Sequence, residues 1–109
     1  MSDMAQMAFR ALSDPSRRDI LYMLGDRDLT VAEVSAQFNM TRAAVKKHLV
    51  VLEEGGLIRS YPRGRERINS LHPEGLRPVL NWLVWFDQFW DDKLSGLKAT
   101  IEQKGLSDD

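Results

Sequence analysis

The change of hydrophobic period at Gly55-Gly56 constrains this sequence more than any other feature. Before the two glycines, apolar residues recur at helical spacing in four short segments. After them, residues 57–71 form two extended segments around a basic turn, Arg63-Gly64-Arg65, a pattern typical of a β-hairpin. A last, long helix is predicted from residue 74 to residue 104. The predicted order is therefore α-α-α-α-β-β-α, a mainly α fold of class α+β, with residues 1–109 as a single domain.

Two helices are predicted in the first part of the chain. Apolar residues form a helical stripe over residues 4–12. Asp14 is the predicted N-cap of the second helix, and Pro15 fits its first turn, where the missing N–H costs nothing. Gly25 is predicted to end this helix.

Two further helices follow in close succession. Thr30 and Glu33 match a capping box, and Thr41 is the predicted N-cap of a helix that ends before the glycines. Two short helices joined by a break of a few residues and followed by a hairpin form the outline of a winged helix-turn-helix. Residues 30–54 are the predicted helix-turn-helix, and residues 57–71 are the predicted wing.

Positive charge is concentrated in the same part of the chain. The formal net charge is −1, yet residues 41–72 contain seven basic and three acidic residues, a local excess of +4. A row of cations on one helix is by itself typical of a solvated face. Together with a basic hairpin turn, it indicates a surface that neutralises the phosphates of double-stranded DNA. The predicted DNA-binding residues are Thr41, Arg42, Ala43, Lys46, Lys47, Arg63, Arg65 and Arg67.

The C-terminal segment predicts an interface. Five of the nine aromatic residues lie within residues 82–90, and the apolar stripe of this helix is interrupted only at Phe86 and Asp87. One small domain does not easily cover so much apolar area, so we predict a homodimer formed by residues 4–12 and 74–104. The predicted interface residues are Met4, Met7, Leu80, Leu83, Trp90, Leu94 and Leu97. Internal packing of the stripe, and a site for an unknown apolar small-molecule effector, are the alternatives.

Three stretches of the sequence together resemble a known family. Residues 12–21, residues 41–58 and Arg63-Gly64-Arg65 are similar to the corresponding parts of ArsR-type winged helix-turn-helix repressors, and the resemblance extends over residues 4–104. The aromatic-rich last helix is similar to that of a cysteine-free branch. The resemblance implies a dimeric transcriptional repressor that binds a pseudo-palindromic operator, often its own.

The chain departs from the metal-sensing members of that family. The positions of their cysteine cluster correspond to Thr30 and Ala32, and the last helix has no histidine. We therefore expect no metal and no other cofactor. The chain has no cysteine, which excludes disulfides, thiolate zinc sites and thiol nucleophiles.

Other classes of protein receive little support. The sequence contains no phosphate-binding glycine loop and no nucleophile with a nearby base, so we expect no enzyme. No apolar run approaches the roughly 18 residues of a membrane span, and no signal-peptide pattern is present, so a cytoplasmic protein is expected. The main alternative to a DNA-binding regulator is a winged-helix interaction module that uses the aromatic C-terminal helix for a different protein.

Overall fold

Short helices and one hairpin follow one another in the computed structural model. It describes residues 2–107, with side chains except at residues 94, 97–99 and 102–107. The chain divides into two compact units, Met1–Val79 and Leu80–Asp109. The elements are α1 (Asp3–Leu12), α2 (Pro15–Asp26), β1 (Leu29–Thr30), α3 (Val31–Gln37), α4 (Arg42–Glu54), β2 (Ile58–Arg63), β3 (Glu66–Leu71), a 3-10 turn (Pro73–Leu76), α5 (Arg77–Trp85) and α6 (Asp87–Ser107).

The three strands form one antiparallel sheet in the order β1-β3-β2. The predicted hairpin is confirmed, because Arg63 pairs with Glu66 and leaves a two-residue loop between β2 and β3. Gly64, the first residue of that loop, has a φ of 64°. A positive φ at this residue alone is typical of a type II′ turn, whose twist matches the twist of the flanking strands.

The predicted element order omits β1, and in this respect it is wrong. β1 has only two residues, too few to show an alternating pattern. Leu29 pairs with Asn69, and the buried Asn69 side chain donates a hydrogen bond of 3.2 Å to the Leu29 carbonyl, 40 positions earlier. Pairing over this separation leaves no local signal in the sequence.

The predicted caps of the two central helices are confirmed. The Glu33 amide donates to Thr30 Oγ1 at 3.1 Å, and the Thr30 amide donates to Glu33 Oε1 at 2.9 Å, which completes the capping box. The Thr30 amide also lowers the pKa of the Glu33 carboxyl below its ordinary value. Thr41 caps α4, since its side chain accepts a hydrogen bond of 3.1 Å from the Ala44 amide.

The predicted end of α2 at Gly25 is wrong by one residue. Among the residues described, only Gly56 and Gly64 have a positive φ, so Gly25 does not turn the chain out of the helix. The Arg27 amide still donates to the Met23 carbonyl at 3.2 Å, and α2 therefore continues to Asp26.

The core of the first unit lies between α1–α4 and the sheet. Val45, Leu49 and Leu52 are buried on the inner side of α4, as the sequence predicts. The α1 helix passes close to the end of α4, because a Cβ atom on Gly55 would lie only 3.0 Å from the Met7 carbonyl oxygen. The α1 residues that are buried are all small: Ala5, Ala8 and Ala11.

The C-terminal segment is not one helix, and the prediction of a continuous helix over residues 74–104 is wrong. A 3-10 turn precedes α5, and Pro78 is the second residue of α5, where proline is tolerated. The chain turns again at Phe86, whose ring centroid lies 5.0 Å from Trp82 and 4.6 Å from Trp85 in edge-to-face contacts. The Phe86 amide donates to the Leu83 carbonyl at 3.0 Å, so the end of α5 tightens before α6 begins. In the part of the chain that the structure describes, no helix is both long and apolar enough to cross a membrane.

The N-cap of α2 provides a test by pH. Partial burial raises the pKa of Asp14, but the amides of Arg17 and Ser16 outweigh it, so the pKa lies below its ordinary value. A lowered pKa in the folded state stabilises the protein above the unfolded pKa, and this stabilisation is lost as the pH falls through the folded pKa. We expect Asp14→Ala to lower the free energy of unfolding by about 1 kcal/mol at pH 7. The difference should be smaller at about pH 3, below the ordinary pKa of an aspartate, because part of the Asp14 population is then protonated. Urea denaturation measures both values.

The matched control is Asp19→Ala, which removes the same charge from an exposed position on α2. We expect Asp19→Ala to change the free energy of unfolding by no more than about 0.5 kcal/mol, as is usual for surface substitutions. An Asp14→Ala cost that is the same at both pH values would contradict the capping role.

Candidate nucleic-acid interface

The outer side of α4 carries the predicted groove-facing residues. The side chains of Arg42, Lys46 and Lys47 are exposed, and Val45, Leu49 and Leu52 occupy the opposite, buried side. The small Ala43 is exposed between the cations, so a flat partner can approach the helix closely. The Thr41 side chain accepts a hydrogen bond from the Ala44 amide. The first two amides of an α-helix have no acceptor within the helix, so they favour an anion such as phosphate.

Among the residues that the structure describes, no acidic side chain forms an ion pair with the cations of residues 41–72. In the part that the structure describes, the ion pairs are those of Arg17 with Asp14 and of Arg77 with Glu74. None of the seven basic residues of this segment takes part in either pair. Their positive charge therefore remains available to an anionic partner.

The tip of the wing is basic, and β2 is anchored close to it. Arg63 and Arg65 are exposed on either side of Gly64. Two residues before Arg63, the Tyr61 hydroxyl donates a hydrogen bond of 2.8 Å to Asp28, and this bond raises the pKa of the Tyr61 phenol. The hydrogen bond ties β2 to the segment that precedes β1, so the tip projects from an anchored strand.

Arg67 is exposed but its guanidinium is not free. Its Nε donates to Ser60 Oγ at 3.0 Å and its Nη2 donates to the Ser60 carbonyl at 3.2 Å, across the hairpin. Arg67 and Lys46 line the same cleft between the wing and α4. The structure therefore places Arg67 beside α4, whereas the sequence groups it with the hairpin tip.

Comparison with known proteins identifies the family. Residues 12–61 match a family model described as a helix-turn-helix domain. The transcriptional repressor SdpR of Bacillus subtilis is 31% identical over 86 residues, which are 79% of this chain and 96% of that protein. The HTH-type transcriptional regulator Rv2034 of Mycobacterium tuberculosis is 35% identical over 98 residues, 90% of this chain and 89% of that protein. The solved structure of an ArsR-like transcriptional regulator from Rhodococcus sp. RHA1 is 30% identical, with a TM-score of 0.70, and covers 87% of this chain and 90% of that chain. The chain belongs to the ArsR family of helix-turn-helix transcriptional regulators.

Family membership confirms the predicted winged helix-turn-helix class. The predicted helix-turn-helix of residues 30–54 corresponds to α3 and α4, and the predicted wing of residues 57–71 corresponds to β2 and β3. The family also accounts for the absence of catalytic constellations in the sequence, because its members are DNA-binding regulators and not enzymes.

Arg17 links α1 to α4 in this ArsR-family regulator, a role that sequence reasoning missed. Its Nε donates to the Ala11 carbonyl at 2.7 Å and its Nη2 donates to the Arg10 carbonyl at 3.0 Å, so it caps the end of α1. Its Nη1 lies 3.4 Å from His48 Nδ1 on α4, and the imidazole nitrogen is the acceptor because a guanidinium only donates. The side chain is 13% exposed. The only sequence signal was its place within the stretch that resembles the family.

The predicted interface residues of the regulator are exposed where the structure describes them. Met4 is 69% and Met7 39% exposed in the first unit. In the second unit, Leu80, Leu83 and Trp90 are 48–58% exposed. The side chains of Leu94 and Leu97 lie outside the described part of the chain.

Proposed function

We propose that this regulator is a homodimeric repressor that binds a pseudo-palindromic operator in double-stranded DNA. In each half-site, α4 enters the major groove with Arg42, Lys46 and Lys47, and Thr41 and Ala43 allow close approach to the bases. The wing residues Arg63, Arg65 and Arg67 contact the backbone beside it.

One observation carries the proposal. The basic residues of segment 41–72 lie on one helix and one hairpin, and none of them is paired with an acid among the residues described. A surface of unpaired cations binds phosphate by releasing the counterions of the DNA, which makes the affinity depend strongly on salt. The repressing role is supported by the similarity to a relative named as a transcriptional repressor.

The homodimer is supported by the exposed apolar side chains. Trp82, Leu83, Trp85, Phe89 and Trp90 are all at least 43% exposed within the second unit. Exposed apolar surface of this extent is typical of an interface. A two-fold dimer would present two α4 helices about 34 Å apart, which is one turn of DNA and the spacing that palindromic half-sites require.

Footprinting across the promoter upstream of the regulator's own coding region tests the proposal. We expect two protected half-sites one helical turn apart, with binding that weakens steeply as salt is raised. Sedimentation as a monomer, with no salt-dependent binding to DNA, would instead favour an interaction module that uses the aromatic segment for another protein.

The wing assignment predicts the behaviour of Arg65→Ala. We expect this variant to bind every DNA sequence more weakly, because one phosphate contact is lost in each half-site. The slope of log affinity against log salt concentration should become less steep by about 0.9 for each half-site. Fluorescence anisotropy at several salt concentrations measures the slope. Equal slopes for the variant and the wild type would refute the wing contact.

A further inference from the structure

A cleft separates the outer side of α4 from the wing. Its volume is about 220 Å³, and its walls include Lys46, Val50 and Glu53 on α4 and Ser60 and Arg67 on the hairpin. The cleft is open to solvent, so a group of the size of a phosphate can enter it from outside.

The two cations of the cleft come from different elements and face the same space. The two hydrogen bonds to Ser60 fix the guanidinium plane of Arg67, and Nη1 takes part in neither of them. Lys46 forms no ion pair or hydrogen bond with any residue that the structure describes, and the Glu53 carboxylate is not within 4.0 Å of either cation. An oriented guanidinium and a free ammonium that line one cleft suit a phosphate, because a phosphate can accept hydrogen bonds from both.

We propose that Lys46 and Arg67 together hold a single phosphodiester of the operator backbone in this cleft. This inference rests on the proposed function and adds one step to it. The phosphate lies where the DNA strand leaves the groove that α4 occupies and passes under the wing. Lys46 then positions α4 on the DNA backbone and contacts no base. Arg65, at the tip of the wing, contacts a different phosphate.

A double-mutant cycle tests the shared contact on the footprinted operator. Lys46→Ala and Arg67→Ala are each expected to weaken binding by about tenfold for each half-site, as for loss of one charge-assisted hydrogen bond. The loss in the double variant is expected to fall clearly short of the product of the two single losses, and its salt slope should fall by about one counterion for each half-site, not two. The operator phosphates can also be replaced one at a time by neutral methylphosphonate. In each half-site we expect one position at which this replacement leaves Lys46→Ala and Arg67→Ala with the same affinity as the wild type.

Arg65→Ala is the matched control. The loss of affinity in the combined Arg65→Ala and Lys46→Ala variant should equal the product of the two single losses, because the two residues contact different phosphates. Fully multiplicative losses for Lys46→Ala and Arg67→Ala, or a methylphosphonate scan in which no position suppresses both, would overturn the shared site while the proposed function stands. Absence of salt-dependent binding by the wild type would overturn the proposed function itself.

The side chains of Lys46 and Arg67 are exposed, so their variants should have the same melting temperature as the wild type. If Arg67→Ala melts at a lower temperature, Arg67→Gln replaces it.

Discussion

Gly75→Ala is expected to destabilise this protein by about 3 kcal/mol, near the upper end for an overpacked site. Gly75 lies in the 3-10 turn that follows the wing, and a Cβ atom there would overlap the carbonyl oxygen of Gly56 and approach Leu57 Cα at 3.3 Å. These are backbone atoms at the end of α4, so no flexible side chain can move aside. The melting temperature should fall by roughly 10–20 °C, measured by circular dichroism.

The clash at Gly75 would act on a corner that is already fixed by hydrogen bonds. The Leu57 amide donates to the Leu52 carbonyl at 3.0 Å, and the Gly56 amide donates to the Glu53 carbonyl at 2.9 Å. With the positive φ of Gly56, these two bonds form a Schellman motif. Gly96→Ala is the control, because a Cβ atom there would meet no described atom within 4 Å. It lies inside α6 and should leave stability unchanged or raise it by up to about 1 kcal/mol. Equal melting of Gly75→Ala and the wild type would show that the two backbones do not approach as described.

Lys47→Glu is expected to weaken operator binding at least 100-fold at about 0.1 M salt. Lys47 is exposed on the side of α4 opposite the buried Val45 and Leu52. The substitution removes a cation from the proposed groove face and adds an anion against phosphates. A like charge at an interface costs several kcal/mol, which corresponds to two or more orders of magnitude in affinity. Fluorescence anisotropy with the footprinted operator measures the loss.

The control for this prediction is Arg27→Glu, which changes the net charge by the same two units. Arg27 is exposed at the end of α2, outside the cationic segment. We expect it to weaken binding less than threefold at the same salt, because Arg27 is not one of the residues proposed to contact the operator and salt screens exposed charges that make no contact. A Lys47→Glu variant that binds within threefold of the wild type would remove Lys47 from the groove face.

The local architecture could be predicted from the sequence. The N-caps at Asp14, Thr30 and Thr41 and a turn around Gly64 are present as expected, although Arg63 belongs to β2 and the loop has two residues instead of the predicted three. Each of these signals is completed within three or four residues, because a cap or a tight turn satisfies backbone groups that are its near neighbours in the chain. The exposed cations of α4 also follow from the sequence, since the buried row of the same helix fixes which side faces outward.

Features that depend on distant residues were not predicted. The hydrogen bonds that hold Arg67 on Ser60 change its place in the proposed site, and they arise only because the hairpin register puts the two side chains on neighbouring strands. The role of Arg17 depends on carbonyls of α1 and on His48, 31 positions away. The turn at Phe86 coincided with an interruption in the apolar stripe, yet a stripe cannot distinguish one kinked helix from two.

The sequence by itself determined where α1–α4 and the hairpin begin, which side of α4 is buried, and that positive charge gathers in residues 41–72. Only the tertiary structure decided that β1 joins the sheet, that Gly75 must be a glycine, and that Arg67 and Lys46 line the same cleft. The reason is physical. Caps, turns and amphipathic periods are satisfied by neighbours along the chain, whereas strand pairing, close backbone approach and shared clefts are satisfied by residues that meet only after folding.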